Sequence, residues 1–440
     1  MEANVMPEIV RDPGRIRSLV QRLHSGGVSA RALLETYLAR IEQVESRVCA
    51  WKHVDLANAR AQADRCDTQL RLGRPVGALH GIALGIKDVI DVRGIATQNG
   101  SAACTDSPAA SADAQALSAL RAAGAVVVGK THTTEFAFFD PSPARNPHNT
   151  DHTPGGSSSG SAAAVAAGMV PGALGTQTVA SVNRPAAYCG IAAFKPSTGS
   201  LSAHGVTPLA PSYDTLGFFG HTLDDAVAIW EVVCPAYLPL STEAHRTRVQ
   251  GLTVVRLQDP LLDEAAESVQ EVMGHVCERL KRAGHDVVEQ AAVVSFDDLR
   301  QQQFLAMNYE AARIHETLKG NEQVGHRLRE MIRHGLEIPQ DDYHRALAAI
   351  ASARESVFEQ LKRADAVLWP AAPDVAPLGL ESTGDPRFIA PWTGLGGPVA
   401  TIPTGRTSKG LPVGVLLCGQ PGLDRTFARV AVQLAEAVVA

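Results

Sequence analysis

Aromatic residues are scarce in this chain: phenylalanine, tryptophan and tyrosine together make up 5% of its 440 residues. A core with so few large rings has to rest on aliphatic side chains and on close backbone contacts, which the 38 glycines permit. A basic excess is also missing, because 40 lysines and arginines stand against 46 acidic residues. The composition is therefore that of a globular protein and gives no sign of a nucleic-acid-binding surface.

The cysteines form no recognisable pattern: the seven are widely scattered, with no CxxC pair and no cluster with histidine. This distribution supports neither a disulfide framework nor a zinc site. Long apolar runs are absent as well. The longest stretch of small apolar residues, 161–175, is interrupted by glycines and Pro171, and residues 1–17 lack the apolar segment of a signal peptide. We therefore expect a cytoplasmic protein with no membrane partner and no metal.

The order of the predicted elements is that of an α/β protein. Residues 13–75 have the apolar spacing of helices, and a buried strand is predicted at 82–92. A helix at 113–123, a glycine and a strand at 125–129 form one αβ unit. A second unit follows, with a helix at 264–283 and a strand after it at residues 286–288.

The later part of the chain is rich in helix and then returns to strands. Residues 299–363 are predicted as charged helices, 366–373 and 411–418 as strands, and 424–439 as a closing helix. Neither an internal repeat nor a long linker is found, which favours one domain. We expect a single domain, residues 1–440, composed of N-terminal helices (1–75), a central core (76–230), a variable helix-rich part (231–365) and C-terminal strands with a closing helix (366–440).

Three residues carry the candidate chemistry. Lys87 lies inside the apolar segment IALGIKDVI, Ser157 opens a serine run after two glycines, and Ser181 lies in GTQTVASVNRPAAYCG. Burial lowers the pKa of a lysine amine, and a neutral lysine can accept a proton from a serine hydroxyl. For Lys87 taken alone, the simpler alternative is a strand-end lysine paired with Asp88 or another carboxylate.

A long segment, PGGSSSGSAAAVAAGMVPGALGTQTVASVNRPAAYCGIAAFKPS at residues 154–197, is specific enough to suggest a family. Together with the blocks GIALGIKDVIDVRG and GLPVGVLLCG, it resembles the amidase signature family of serine hydrolases, and in particular the malonamidase and carboxybiuret hydrolase branch. The resemblance covers most of the chain, although residues 250–360 match only loosely. It implies an α/β fold with a large, mostly parallel mixed sheet of about ten strands flanked by helices on both faces.

The resemblance also implies a catalytic triad and a mechanism. Lys87 would be the general base and acid, Ser157 the serine that relays the proton, and Ser181 the nucleophile. The peptide bond before Ser157 would be cis. Ser181 would form an acyl-enzyme with an amide substrate, and water would then release a carboxylic acid. The family needs no cofactor for this reaction.

The oxyanion hole that the resemblance implies consists of the backbone N–H groups of Thr178, Val179, Ala180 and Ser181. The family usually has glycine at one or both of the positions that Val179 and Ala180 occupy here. Glycine allows positive φ, where a β-branched valine would be strained. Two alternatives stay open: the backbone has ordinary φ values and the methyl groups narrow the pocket, or the hole is distorted.

Gly156, Ser158 and Arg184 are the predicted substrate-binding residues. The guanidinium of Arg184 suits a carboxylate, but an arginine that binds backbone carbonyls is an equal alternative. The leading hypothesis is an amidase for a small, polar, carboxylated amide, with a homodimer as the expected assembly. One alternative is the glutaminase subunit of a tRNA-dependent amidotransferase, with a small accessory subunit. The other is a catalytically weak, ligand-binding protein in which Val179 and Ala180 replace the usual glycines.

Overall fold

A computed structural model describes residues 9–74, 77–234, 251–408 and 410–439. The predicted boundary at residues 75 and 76 lies outside these ranges, as do residues 1–8 of the segment searched for a signal peptide. The helices are α1 (Ile16–His24), α2 (Ala30–Val48), α3 (Leu56–Arg71), α4 (Gln115–Ala122), α5 (Ser159–Ala166), α6 (Asn183–Cys189), α7 (Leu223–Val233), α8 (Glu267–Arg282), α9 (Phe296–Ile314), α10 (His326–Glu337), α11 (Gln340–Gln360), α12 (Ala390–Leu395) and α13 (Asp424–Val439). The strands are β1 (Trp51–Val54), β2 (Ala83–Lys87), β3 (Val126–Thr131), β4 (Gly172–Gln177), β5 (Ala192–Lys195), β6 (Thr215–Gly220), β7 (Thr253–Gln258), β8 (Asp286–Ala291), β9 (Ala366–Pro370), β10 (Val399–Arg406) and β11 (Pro412–Cys418).

The strands of the described residues form one sheet in the order β1–β3–β2–β4–β6–β5–β10–β11–β9–β7–β8. Pairing is parallel along β3–β2–β4 and β9–β7–β8, and antiparallel for β1–β3 and along β4–β6–β5–β10–β11–β9. The predicted α/β fold with a large mixed sheet is confirmed, but parallel pairs do not predominate. In the middle of the sheet, β10 and β11 are joined by a short connection. Because β11 begins only six residues after β10 ends, there is no room for the crossover that a parallel pair needs.

Both predicted αβ units are present, as α4–β3 and α8–β8. The prediction of helices throughout residues 13–75 needs a correction, because β1 interrupts them and pairs with β3 at the edge of the sheet. This strand has only four residues, too few for a period to be visible in the sequence. The strands β5, β6, β7 and β10 were not predicted either. Within the described ranges, none of the helices is both long and apolar enough to cross a membrane.

Two hydrophobic clusters lie on opposite faces of the sheet. Alternate residues of one strand divide between them: Leu368 belongs to the first cluster, whereas Val367 and Trp369 belong to the second. The first cluster includes residues of α1, α2, α7, α8 and α13, and the second includes residues of α9–α12. The second cluster also contains Val179 and Ala180, so the predicted oxyanion loop lies beneath the layer formed by α9–α12.

Candidate active site

The glycine–serine segment before α5 has the backbone that the family resemblance predicts. The peptide bond between Gly156 and Ser157 is cis, and Gly155 has a φ of 83°. A side chain at Gly155 would collide with Pro185 and Tyr188, so this turn requires glycine for space as well as for conformation. The segment then leads directly into α5, whose eight residues are all buried.

Lys87 is the last residue of β2 and is completely buried. Its Nζ donates to Ser157 Oγ at 2.7 Å and to Thr176 Oγ1 at 2.8 Å, and Thr176 O lies at 3.4 Å. Burial lowers the pKa of Lys87 to about 7, an effect that the charge of Asp214 partly offsets. A substantial neutral fraction is therefore present near pH 7, and this fraction can accept a proton.

The simpler interpretation of Lys87, a pair with Asp88, does not hold. Asp88 forms its ion pair with Lys130, with 3.1 Å between Lys130 Nζ and Asp88 Oδ1, and both side chains are buried. In the described part of the chain, Lys87 has no ion pair with a carboxylate and is surrounded by hydroxyl and carbonyl groups instead.

The loop that carries Ser181 connects β4 to α6. The side chain of Gln177, the last residue of β4, turns back and accepts hydrogen bonds from the backbone N–H groups of Val182 and Asn183, at 2.9 and 3.0 Å. These two bonds satisfy donors at the start of α6 and close the loop into a tight arch. Ser181 lies in the arch with 7% of its surface exposed.

Each carbonyl oxygen of residues 178–181 accepts a hydrogen bond, whereas their four N–H groups have no acceptor among the described residues. The donors are Gln303 Nε2 to Thr178 O (2.9 Å), Thr393 Oγ1 to Val179 O (2.5 Å), Arg184 N to Ala180 O (3.0 Å) and Ser158 N to Ser181 O (3.3 Å). The N–H groups are thus available to a ligand.

Neither Val179 nor Ala180 has a positive φ. Of the two alternatives left open by the sequence, the backbone matches the first: ordinary φ values, with the two side chains lining the cavity beside Ser181. Positive φ occurs instead in the facing loop, at Phe136 (46°) and Ala137 (59°). Ala137 lines the same cavity. Neither residue type signals such a conformation, so the sequence does not predict this strained wall.

The structure joins some of the predicted site residues and leaves others apart. Lys87 and Ser157 are hydrogen bonded. The bond from Ser158 N to Ser181 O connects the segment before α5 to the loop between β4 and α6, which together are called the two serine loops below. A hydrogen bond between the hydroxyls of Ser157 and Ser181 is not present, and Ser181 Oγ has no partner in the described ranges. Ser158 is fully buried, and its hydroxyl donates to Thr176 O at 3.2 Å, so it supports the loop from behind.

Arg184 is buried, with 2% of its surface exposed, and lines the cavity next to Ser181. It donates to Gly384 O at 2.5 Å, and to Gly156 O and Thr383 Oγ1 at 2.8 Å each. These contacts match the alternative of an arginine that binds backbone carbonyls. Its Nε has no partner among the described residues, and no ion pair joins it to a carboxylate there. Burial lowers the pKa of Arg184 to about 10, which leaves it charged at neutral pH.

The cavity itself is small, with about 10 Å³ available to the centre of a water molecule, the space of about one water. Besides residues 178–181 and Arg184, its walls are formed by Ala137, Phe138, Phe139, Leu209 and Met307. No group of three histidine, cysteine or acidic side chains suited to a metal ion occurs in the part of the chain that the structure describes.

Comparison with known proteins gives consistent results. The family model described as Amidase matches residues 32–427. A glutamyl-tRNA(Gln) amidotransferase subunit of Synechococcus sp. (strain CC9311) is 30% identical over 448 residues, covering 91% of this chain and 92% of that protein. A solved structure described as an amidase is 30% identical, with a TM-score of 0.87, and covers 97% of this chain and 100% of its own. Another, from a report on a vestigial protein complex and the evolutionary origins of an s-triazine catabolic enzyme, is 26% identical, with a TM-score of 0.90 and coverage of 97% and 99%.

Proposed function

The chain belongs to the amidase family and is an amide C–N hydrolase, and on that premise we propose that it cleaves a small, polar, carboxylated amide through an acyl-enzyme on Ser181. The observation that carries this proposal is the buried Lys87 Nζ, 2.7 Å from Ser157 Oγ and without a carboxylate partner in the described ranges. A lysine in this setting is a base near neutral pH, and its contact is a serine hydroxyl.

In the proposed mechanism, neutral Lys87 takes the proton of Ser157 as Ser157 takes the proton of Ser181. The Ser181 oxygen attacks the amide carbonyl carbon, forming a C–O bond and a tetrahedral intermediate with a negatively charged oxygen. When the intermediate collapses, the C–N bond breaks, and the leaving nitrogen receives the proton through Ser157. Water then attacks the ester by the same route, releasing the carboxylic acid and restoring Ser181.

The oxyanion would be stabilised by the N–H groups of residues 178–181. Their availability supports this role, because all four carbonyl groups of the loop are occupied while the N–H groups have no acceptor among the described residues. Donors that are fixed before the reaction contribute more than mobile ones, since they need no reorganisation as charge develops.

The small size and the charge of the cavity support the proposed substrate class. The walls around Ser181 leave little free space, and a short acyl group would have to displace them less than a bulky one. The guanidinium of Arg184 lines this cavity without an ion-pair partner in the described ranges, and a carboxylate of the substrate would supply the missing counter-charge. We propose that Arg184 serves both the loop and the substrate.

The second candidate function is that of a glutaminase subunit. It is favoured by the 30% identity, over more than nine tenths of both chains, to a protein named as part of a glutamyl-tRNA(Gln) amidotransferase. Such a protein would hydrolyse glutamine and pass ammonia to a partner. Glutamine hydrolysis that depends on co-purifying subunits would favour this function, whereas hydrolysis of malonamate by the isolated chain would favour the first.

The test is covalent labelling with phenylmethanesulfonyl fluoride, followed by mapping of the adduct by mass spectrometry. We expect an adduct on Ser181, its absence in Ser181→Ala, and a much slower reaction in Lys87→Met. The matched control is Ser356→Ala, since Ser356 is an exposed serine of α11 that donates to Ser352 O. Ammonia release from malonamate, biuret and glutamine follows. A folded protein without an adduct, and without ammonia release, would instead be the ligand-binding protein of the third hypothesis.

A further inference from the structure

Two of the four hydrogen bonds that hold the carbonyl groups of residues 178–181 come from outside the 154–197 segment. Gln303 on α9 binds Thr178 O, and Thr393 on α12 binds Val179 O. Both side chains are completely buried. They reach the loop from the layer that covers the second hydrophobic cluster, and neither takes part in the proton transfers of the proposed mechanism.

The glutamine is an unusual choice for its position. Gln303 is 0% exposed and packs beside Gly394, where an added Cβ would lie 3.4 Å from its Cβ and Cγ. Its Nε2 donates to Thr178 O at 2.9 Å, but its Oε1 has no partner in the described part of the chain. Burying an unpaired amide oxygen is unfavourable, and an aliphatic side chain would avoid it. What the glutamine provides is the donor to Thr178 O.

Thr393 connects the two sides of the same arch. Its Oγ1 donates to Val179 O at 2.5 Å and accepts from Gln177 Nε2 at 2.9 Å. The Gln177 side chain in turn accepts from the N–H groups of Val182 and Asn183. One buried hydroxyl therefore links the residues on both sides of Ser181 into a single network. Ile389 O, one helical turn back, lies at 3.4 Å from the same hydroxyl, so Val179 O at 2.5 Å is the closer acceptor.

A hydrogen bond that fixes the orientation of a carbonyl group also fixes the orientation of the N–H group of the next residue. The C=O of Thr178 and the N–H of Val179 belong to one planar peptide unit and point in opposite directions, as do the C=O of Val179 and the N–H of Ala180. Gln303 and Thr393 draw these two carbonyls toward α9 and α12. The two N–H groups consequently point away from the Gln303 and Thr393 side chains, and neither has an acceptor among the described residues.

We propose that Gln303 and Thr393 are positioning residues for the oxyanion hole, doing with hydrogen bonds what the usual glycines do with backbone freedom. This inference rests on the proposed function. It accounts for the presence of Val179 and Ala180 in the loop: once two peptide units are held from behind, positive φ is not needed to aim their N–H groups, and neither residue has it. Gln303 and Thr393 touch neither the substrate nor Ser181 in this scheme.

The test compares variants that remove one hydrogen bond at nearly constant shape. Thr393→Val removes the hydroxyl, Thr393→Ser keeps it, and Gln303→Met removes the donor. The matched control is Thr401→Val: Thr401 is equally buried and bonds Asn183, but it makes no bond to residues 178–181. Each protein is assayed with the amide that the wild type hydrolyses fastest, with phenylboronic acid as a tetrahedral inhibitor, and with phenylmethanesulfonyl fluoride.

We expect kcat to fall by about 10–100-fold in Thr393→Val and Gln303→Met, with KM changed by less than about threefold. Binding of phenylboronic acid should weaken by a factor similar to the fall in kcat, while Thr393→Ser and Thr401→Val stay within about threefold of the wild type. Unchanged kcat in both Thr393→Val and Gln303→Met would overturn the proposal. A defect that appears only as a raised KM, with kcat unchanged, would overturn it too.

Two further readouts separate this proposal from the proposed function. A crystal structure of Thr393→Val should show the peptide unit between Val179 and Ala180 rotated, and an unchanged orientation would overturn the proposal whatever the activity. Retained labelling of Ser181 in the same variant would place the defect in the oxyanion hole. A wild-type protein that is not labelled on Ser181 and releases no ammonia from any of the amides would instead refute the proposed function.

Discussion

The segment around the two serine loops and the layer of α9–α11 differ in where their polar side chains lie: they are buried in the first and exposed in the second. Every residue from 153 to 189 is buried, and side chains such as Ser158, Gln177 and Arg184 bond backbone groups. In the helical layer, charged side chains lie at the surface and pair with a residue three positions away. Examples are Arg300 with Asp297, Arg333 with Glu330, and Lys362 with Glu359.

This difference has an energetic meaning. A buried polar group that loses its partner has no water to replace it, which costs about 1–3 kcal/mol for a neutral group and more for a charge. An exposed ion pair contributes about 0–1 kcal/mol, because water and salt already satisfy both charges. The same substitution should therefore have very different consequences in the two regions, and the predictions below test that contrast.

The largest effect is expected for lysine, which occurs in both settings. Lys87→Met should lower kcat by about 10²–10⁴-fold, because it removes the proposed base, whose Nζ contacts Ser157. Lys362→Met should leave kcat unchanged, since Lys362 pairs with Glu359 at the surface, just after the end of α11. Steady-state kinetics on the two purified variants measures both values.

The control for this comparison is the thermal midpoint of each variant. Methionine has about the length of lysine and carries no charge, so Lys87→Met should stay folded in a site that already favours a neutral amine. If Lys87→Met is folded and retains more than a tenth of the wild-type kcat, Lys87 is not the base.

The sequence predicted the buried region better than the helical layer, for a physical reason. In the 154–197 segment, contact on all sides restricts each position, and its pattern, together with the block that contains Lys87, led to the prediction of Lys87, Ser157 and Ser181 as one site. Gln303 could not be found in this way. It ends the run of three glutamines at 301–303, and Gln301 is exposed while Gln303 is buried. Only contacts between distant parts of the chain distinguish identical neighbours.

Local patterns also limited the fold prediction. The helices with clear periods, such as α8, and the strand β3 with its run of valines were found, whereas β1 and β5 have four residues each and show no period. Pairing direction depends on connections between strands far apart in the chain, which explains the expectation of a mostly parallel sheet. Arg184 illustrates the same limit at the site, because its partners Gly384 and Thr383 are 200 and 199 residues away.

A smaller effect is expected from pH. The pKa of Lys87 is about 7, and a base has to be neutral to accept a proton. The value of kcat/KM should therefore rise with pH through about 7, falling about tenfold for each unit below it. Asp214→Asn should move this midpoint to lower pH, because the charge of Asp214 raises the pKa of Lys87. Glu359→Gln, in the exposed layer, should not move it.

The contradictory result for pH is a profile that falls as pH rises through 7. That profile would mean that the ammonium form of Lys87 is the active one and acts as an acid or a charge. A midpoint that Asp214→Asn leaves in place would assign the titration to another group.

The smallest effect, and one of opposite sign in the two regions, is expected for glycine to alanine. At Gly175, in β4, an added Cβ would lie 2.5 Å from Ser158 Oγ and 2.8 Å from a ring carbon of Phe219. Gly175→Ala should therefore cost about 1–3 kcal/mol of unfolding free energy through overpacking. At Gly274, in α8, nothing lies within 4 Å of the added atom. Gly274→Ala should stabilise the protein by up to about 1 kcal/mol through helix propensity.

Denaturant unfolding of the two variants measures both changes in free energy, which are expected to have opposite signs. A stabilising Gly175→Ala would mean that the loop carrying Ser158 can shift to admit a methyl group, and the close packing of Gly175 against Ser158 would be refuted. Because Ser158 N also donates to Ser181 O, the displacement that Gly175→Ala forces should lower kcat as well. Gly274→Ala, far from both serine loops in the chain, changes stability alone.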